Sequence, residues 1–260
     1  MGPLTVTLPL AMVELVMLAG VRVAAFLVIA PPFANSSVPG RVKAMLAVGL
    51  ALAMSPRLEP ADGTLGTGLS TAGFVGALFM QVLIGGALGF LVALVFAAVQ
   101  GAGTFIDLFG GFQMAAAFDP MSMTSGAQFA RLYQFTAVVL LFASDGHQML
   151  IAGLARTFDA LPIGAALDLS RLGSTLVDGT GQMFVAALQI AGPLIVVLFL
   201  TDVGLGLLTR VSPAMNAFAL GFPLKILMTL TFATFAYLAM PGVIDGLLGT
   251  AVEALLGVVR

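Results

Sequence analysis

The chain has 260 residues, 60% hydrophobic and 8% charged, with a mean hydropathy of +1.13. A soluble domain carries about a quarter charged residues, so this chain reads as an integral membrane protein or as part of an equally apolar assembly. Ten bases against twelve acids leave no polyelectrolyte footprint for nucleic acid, and with no cysteine and one histidine there is no disulfide, thiolate cluster or multi-histidine metal site.

The start, MGPLTVTLPL, lacks the basic n-region of a cleavable signal peptide and a hydroxyl residue at position 6 for myristoylation. Insertion is therefore expected to be directed by the first apolar segment, Leu8 to Ala30, which is long enough to span. Glu14 and Arg22 lie two turns apart on one face of it, too far apart for a direct pair. Each is costly against lipid, so both are expected to face protein and make buried contacts with neighbouring helices. Pro31-Pro32 and Pro39-Gly40 make a rigid turn, Arg41 and Lys43 open a short helix from Val42 to Ser55, and Pro56 to Gly68 reads as a loop.

From Gly63 to Ile106 no residue is charged. As one helix, Ala72 to Gly101 would measure about 45 Å against a hydrocarbon core of about 30 Å. A ridge of small residues recurs at every fourth place: Gly85, Gly89, Ala93, Ala97 and Gly101. That spacing admits close approach by another helix, of this chain or of another subunit. Glycines weaken an isolated helix, so tight packing is the reason they are tolerated.

Gly103 to Gly126, GTFIDLFGGFQMAAAFDPMSMTSG, is out of character between two apolar segments. Gly110-Gly111 penalises a continuous helix and Asp119-Pro120 disfavours helical geometry at Asp119. Non-helical backbone at membrane depth survives only inside protein or beside a water-filled cavity. The stretch is therefore expected to be a gate loop within a conduit, an ordinary surface loop being the plainer alternative.

Phe129 to Phe158 holds two apolar halves split by Ala143-Ser144-Asp145-Gly146-His147, a polar notch that suggests a re-entrant bend or hairpin. Asp159 to Ser174 reads as a loop. Gly179 to Leu208 is another long apolar segment, with Asp202 inside and Arg210 placed to suit a helix C-terminus. After the break at Ser212-Pro213, Ala214 to Met240 follows, kinked at Pro223. The tail from Val243 to Arg260 is amphipathic, with Ile244, Leu247, Leu248, Ala251, Val252, Leu255 and Leu256 on one side. Basic residues do not segregate to alternate loops, so the positive-inside rule gives no topology.

Catalytic constellations are lacking. Asp145-Gly146-His147 has no H-E-x-x-H or second histidine with it, and there is no G-x-S-x-G elbow and no Walker A sequence. Asp145 and Asp202 form the remaining candidate, an intramembrane aspartyl pair whose flanks offer nothing specific. His147 reads as a satisfied histidine at a helix boundary. No enzyme activity, cofactor or metal is expected.

Taken in order, several blocks resemble the FliR family, membrane components of the flagellar type III protein-export gate whose injectisome counterpart is SctT. Ala30-Pro31-Pro32 and Pro39-Gly40-Arg41-Val42-Lys43 look like that family's early turn, and Ile84-Gly85 with Leu88-Gly89-Phe90 like its long helix. Ala102-Gly103, Ile106 and Phe118-Asp119-Pro120 are similar to the borders of its plug loop. Asp145-Gly146-His147, Phe158 and Leu161-Pro162-Ile163-Gly164 fit its central hairpin. Leu205-Gly206-Leu207-Leu208, Arg210, Pro213, Asn216, Phe218 and Gly221-Phe222-Pro223-Leu224-Lys225 fit its most specific block. The departure is Gly110-Gly111-Phe112-Gln113-Met114, more glycine-rich than the family's plug.

The resemblance implies an all-α chain, residues 1–260 forming one export-gate domain of membrane-associated helical hairpins with an internal non-helical plug loop at about 103–126. It implies one such chain assembled with several FliP and FliQ subunits into a helical cone around a channel, beside FlhB and FlhA. The place would be the bacterial inner membrane at the flagellar basal body, amid membrane lipid, and the cargo unfolded export substrates driven mainly by the proton-motive force. Phe109, Phe112, Met114, Phe118, Met121 and Met123, with Gly110, Gly111 and Gln113, are the expected plug. Gly85, Gly89, Ala93, Ala97, Gly101, Asn216, Phe218 and Lys225 are expected to pack between subunits. The rival is a small-solute secondary transporter, which needs repeated halves with broken helices around a mid-membrane site. Pro213, Pro223 and the central loop supply breaks, but no internal repeat accompanies them.

Overall fold

A computed structural model describes residues 10–58, 70–113, 127–212 and 217–257, and among them the regular elements are helical. They are α1 (Leu10–Ile29), α2 (Gly40–Met54) with a 3-10 turn at Ser55–Arg57, α3 (Thr71–Phe109), α4 (Gln128–Ala143), α5 (Gly146–Ala160), α6 (Leu169–Val211) and α7 (Ala217–Gly257). The chain is an all-α membrane protein. Among the described residues four helices, α1, α3, α6 and α7, are long and apolar enough to cross a membrane by length and composition.

Three boundaries differ from the sequence expectation, each for a local reason. Gly103 to Phe109, read as loop, forms the last two turns of α3, because Gly103, Ile106 and Asp107 are buried and hold that face in register. The helix stops at Gly110 and Gly111, where φ at Gly111 is +82°. Phe112 and Gln113 are again helical, and residues 114–126 lie outside the described part. Helix α6 begins at Leu169, ten residues before the apolar run, because the Asp168 carboxylate accepts the Ser170 and Arg171 backbone N–H groups at 2.9 and 3.1 Å. Helix α7 continues through Pro241 and absorbs the amphipathic tail, with Ile244, Leu248 and Ala251 buried and Asp245 and Glu253 exposed. A proline inside a helix forfeits one hydrogen bond, and a buried apolar face can outweigh that loss.

The contacts divide the chain into two compact units. The first comprises Met1–Ala93, His147–Gly179 and Leu248–Arg260. Its core is built on α1, whose Leu18, Ala19, Val23, Phe26 and Leu27 are buried, together with Ile84 and Leu88 of α3. Leu150, Leu154 and Phe158 of α5 recur every fourth place and are buried too. Gly85 and Gly89 are where α3 meets α1 backbone to backbone. A methyl group at Gly85 would overlap the Arg22 carbonyl, and one at Gly89 would lie 2.9 Å from the Phe26 oxygen. For these two ridge positions the close neighbour belongs to the same chain.

At the centre of this unit is Arg22, fully buried. Its Nε donates to the Gln81 side-chain oxygen at 2.7 Å, and its two terminal nitrogens donate to the carbonyls of Thr157 and Leu161 at 3.3 and 3.1 Å. The guanidinium carbon lies 4.3 Å from the centre of the Phe158 ring. The guanidinium thus closes the C-terminal end of α5, taking the Leu161 carbonyl just past the helix and sharing the Thr157 carbonyl with the Leu161 N–H, which donates to it at 2.9 Å. Glu14 is half-buried, and its Oε2 atom is buried without a hydrogen-bond partner.

The second unit comprises Leu94–Gly146 and Thr180–Leu247. Buried residues from α3 (Leu94, Ala98, Val99, Ala102, Ile106), α4 (Phe129, Tyr133, Ala137, Leu141) and α6 (Ala187, Ala191, Leu194, Leu198) line its interior. The hydroxyls of Thr136 on α4 and Tyr237 on α7 are 3.1 Å apart. The notch after Ala143 is a helix break, with Asp145 at φ +56°. Facing outward are many large apolar side chains, among them Phe199 and Leu200 of α6 and Leu230, Phe235 and Leu238 of α7.

Candidate functional site

Within the second unit, the end of α3 and the start of α4 are closely built together. Helix α4 starts badly on its own account: Ala127 precedes it and offers no side-chain cap, so its first N–H groups have no intrahelical partner. Asp107, in the last turn of α3, supplies the acceptors instead. Its Oδ1 accepts the Phe129 N–H and its Oδ2 the Ala130 N–H, both at 2.9 Å, and the carboxylate is fully buried. An anion at a helix start is favoured by the helix dipole, and charge-assisted bonds of this kind are short. Stripping the carboxylate would orphan buried donors, at about 1–3 kcal/mol each.

So short a side chain reaches because the helices touch. A methyl group at Gly103, one turn before Asp107, would lie 2.6 Å from the Ala130 Cα and from the Phe129 oxygen. Past the end of α3 the packing remains tight. A methyl group at Gly110 would meet the Thr229 hydroxyl at 2.8 Å, and one at Gly111 would meet the Phe222 ring at 3.2 Å. Gly111 also needs its left-handed backbone, which a side chain resists. The ring of Phe112 then meets Phe129 edge-on, centroids 5.2 Å apart, and Phe129 meets Tyr133 in the same way at 6.3 Å.

The expected plug residues fall in three groups. Gly110 and Gly111 are buried in the α3–α7 contact, so close packing and backbone conformation account for both glycines. Phe112 is half-buried against α4, while Phe109 and Gln113 are exposed. Met114, Phe118, Met121 and Met123 lie outside the described residues. Of the packing residues, Gly85 and Gly89 meet α1, Ala93 and Ala97 are half-buried, and Gly101 would place a methyl 3.4 Å from the Ala187 Cβ. Asn216 and the Phe218 side chain are outside the described part. Lys225 makes an ion pair within the chain, its Nζ 2.7 Å from Asp202 Oδ1. That contact engages Asp202, one half of the candidate aspartyl pair. Among the described residues no three of His, Asp and Glu gather as a metal site would require.

Asp107 and Thr229 are not among the residues the sequence points to, and Gly103 and Phe222 enter through the blocks that carry the family resemblance. Asp107 did carry a signal: it is the first charge after the long uncharged run and stands one turn beyond Gly103. Its partners are backbone groups more than twenty residues on, which no local pattern displays.

Comparison with known proteins gives the family. Residues 13–251 match the model of the bacterial export proteins, family 1. The flagellar biosynthetic protein FliR of Pectobacterium carotovorum subsp. carotovorum is 36% identical over 206 residues, 79% of this chain and 77% of its own length. The FliR protein of Escherichia coli (strain K12) is 36% identical over 205 residues, with coverage of 79% and 77%. That of Bacillus subtilis (strain 168) is 29% identical over 222 residues, 81% of each chain. By a match that runs through most of its length, the chain belongs to the bacterial export proteins, family 1, alongside the FliR proteins of flagellar biosynthesis.

Proposed function

We propose that the chain is a subunit of the type III protein-export gate, whose segment 109–126 seals a passage for unfolded flagellar proteins across the bacterial inner membrane. The whole chain, residues 1–260, works as one export-gate domain at the flagellar basal body. As a member of an export family it is an apparatus component and not an enzyme. The observation that carries the sealing role is the base of the loop. Asp107, Gly103 and the Phe112–Phe129 contact fix both ends of an apolar, methionine-bearing segment at one place. Phe109, Phe112, Met114, Phe118, Met121 and Met123 then form a constriction that excludes water and ions at rest. Unbranched thioethers repack readily around a changing substrate.

The uncovered surface supports a partnered subunit. At 43 and 41 residues, α6 and α7 are each roughly 60 Å long, about twice the hydrocarbon thickness, and much of their apolar surface faces outward. Lipid alone cannot cover such lengths, and the FliP and FliQ subunits that the FliR resemblance implies supply the remaining contact, with FlhB and FlhA adjacent. Deleting Gly110 to Ala116 and recording small-ion conductance of membranes that hold the assembled complex tests the sealing role. A raised conductance is expected, and an unchanged one removes it.

A further inference from the structure

We infer that Asp107 is the positioning residue of the central loop: its carboxylate ties the exit of α3 to the start of α4 and so sets the separation of the loop's two ends. The tether stands on its own geometry, while its consequence for sealing rests on the function proposed above.

A helix that needed only a cap would carry serine, threonine, aspartate or asparagine at the position before its first turn. Helix α4 has Ala127 there and takes its acceptors from a residue 22 and 23 positions upstream. Its start is therefore conditional on where α3 ends. Both carboxylate oxygens are used, one on each of two successive N–H groups, which fixes the approach in two directions at once. The backbone contact at Gly103 sets the helix separation at which an aspartate reaches. A glutamate, longer by one methylene, would have to fold back.

The chain has no cysteine, so labels can be introduced cleanly. Gln113 and Gln128 are exposed and flank the loop. With Q113C and Q128C spin-labelled, the distance distribution is measured in the membrane-embedded complex. The informative variant is D107A with A127D, which gives α4 a cap of its own. Recovered assembly, a broadened 113–128 distance and a several-fold rise in resting ion conductance are expected. An unchanged distance in that variant would overturn the inference and leave Asp107 as a cap alone. Should the double variant not assemble, D107N carries the same measurement: its single acceptor oxygen is expected to broaden the distance partway, and an unaltered distribution overturns the tether. The Gly110–Ala116 deletion judges the sealing role separately, so a complex without leak on deletion but with a broadened D107N distance refutes sealing and keeps the tether.

Discussion

Arg22 and Gln81 are joined by a 2.7 Å hydrogen bond in a place water does not reach, and the same guanidinium holds the carbonyls that end α5. Arg22→Met keeps an unbranched apolar stem but strands the Leu161 carbonyl and the Gln81 amide oxygen. The expected loss is roughly 2–4 kcal/mol. Arg22→Lys keeps the charge, yet one ammonium cannot fork to three acceptors on different elements, so an intermediate loss is expected. Thermal unfolding of the purified complex decides it, and an R22M midpoint equal to wild type would show that the fork holds nothing.

The ridge on α3 should respond unevenly to added methyl groups. At Gly85 the new carbon overlaps the Arg22 carbonyl and at Gly89 it crowds two α1 atoms inside 3.2 Å, whereas at Gly101 it makes an ordinary contact. G85A is expected to cost more than about 3 kcal/mol and G89A about 1–3. G101A should be neutral or better, since alanine favours a helix by about 1 kcal/mol over glycine. Three equal effects, read from unfolding of the complex, would contradict the crossing described here.

Lys225 and Asp202 make the clearest ion pair of the second unit, with side-chain exposures of 20% and 46%. Solvent at Asp202 screens the pair, so a double-mutant cycle with D202N and K225Q should give a coupling of only about 0.5–1 kcal/mol in the solubilised chain. Reversing either charge alone should impair assembly, and exchanging the two residues should recover it. Assembly unaffected by D202K would mean that Lys225 is held by something other than Asp202.

Tyr133 is buried with a hydroxyl that has no hydrogen-bond partner. Removing a polar atom that is already unpaired carries no penalty, so Y133F should leave stability unchanged or raise it by up to about 1–2 kcal/mol. It keeps the edge-on contact with Phe129 intact. A loss above about 1 kcal/mol would assign that hydroxyl a partner in the assembled gate.

How much of this could be seen in advance varied with the range of the interaction. Hydropathy alone indicated the apolar helices, and four-residue spacing picked out Gly85 and Gly89. The burial of Arg22 followed from the cost of leaving it in lipid. Harder to see were the boundaries settled by single polar contacts, such as Asp168 starting α6 within a stretch that reads as loop. Least visible was Asp107, whose acceptors serve backbone donors on another helix. The expectation of Lys225 between subunits rests on the family resemblance, and its ion pair with Asp202, distant in sequence on the preceding helix, is one that no local pattern displays.

Pro193 interrupts α6, and Pro223 and Pro241 interrupt α7. Each lacks the amide that the carbonyl four residues earlier would receive, which leaves Gln189, Ala219 and Tyr237 without their usual rung. A rod with missing rungs is stiff between them and compliant at them. Pushed sideways, α7 should yield near its first turn at residue 219 and again near residue 237, instead of bending evenly along its length.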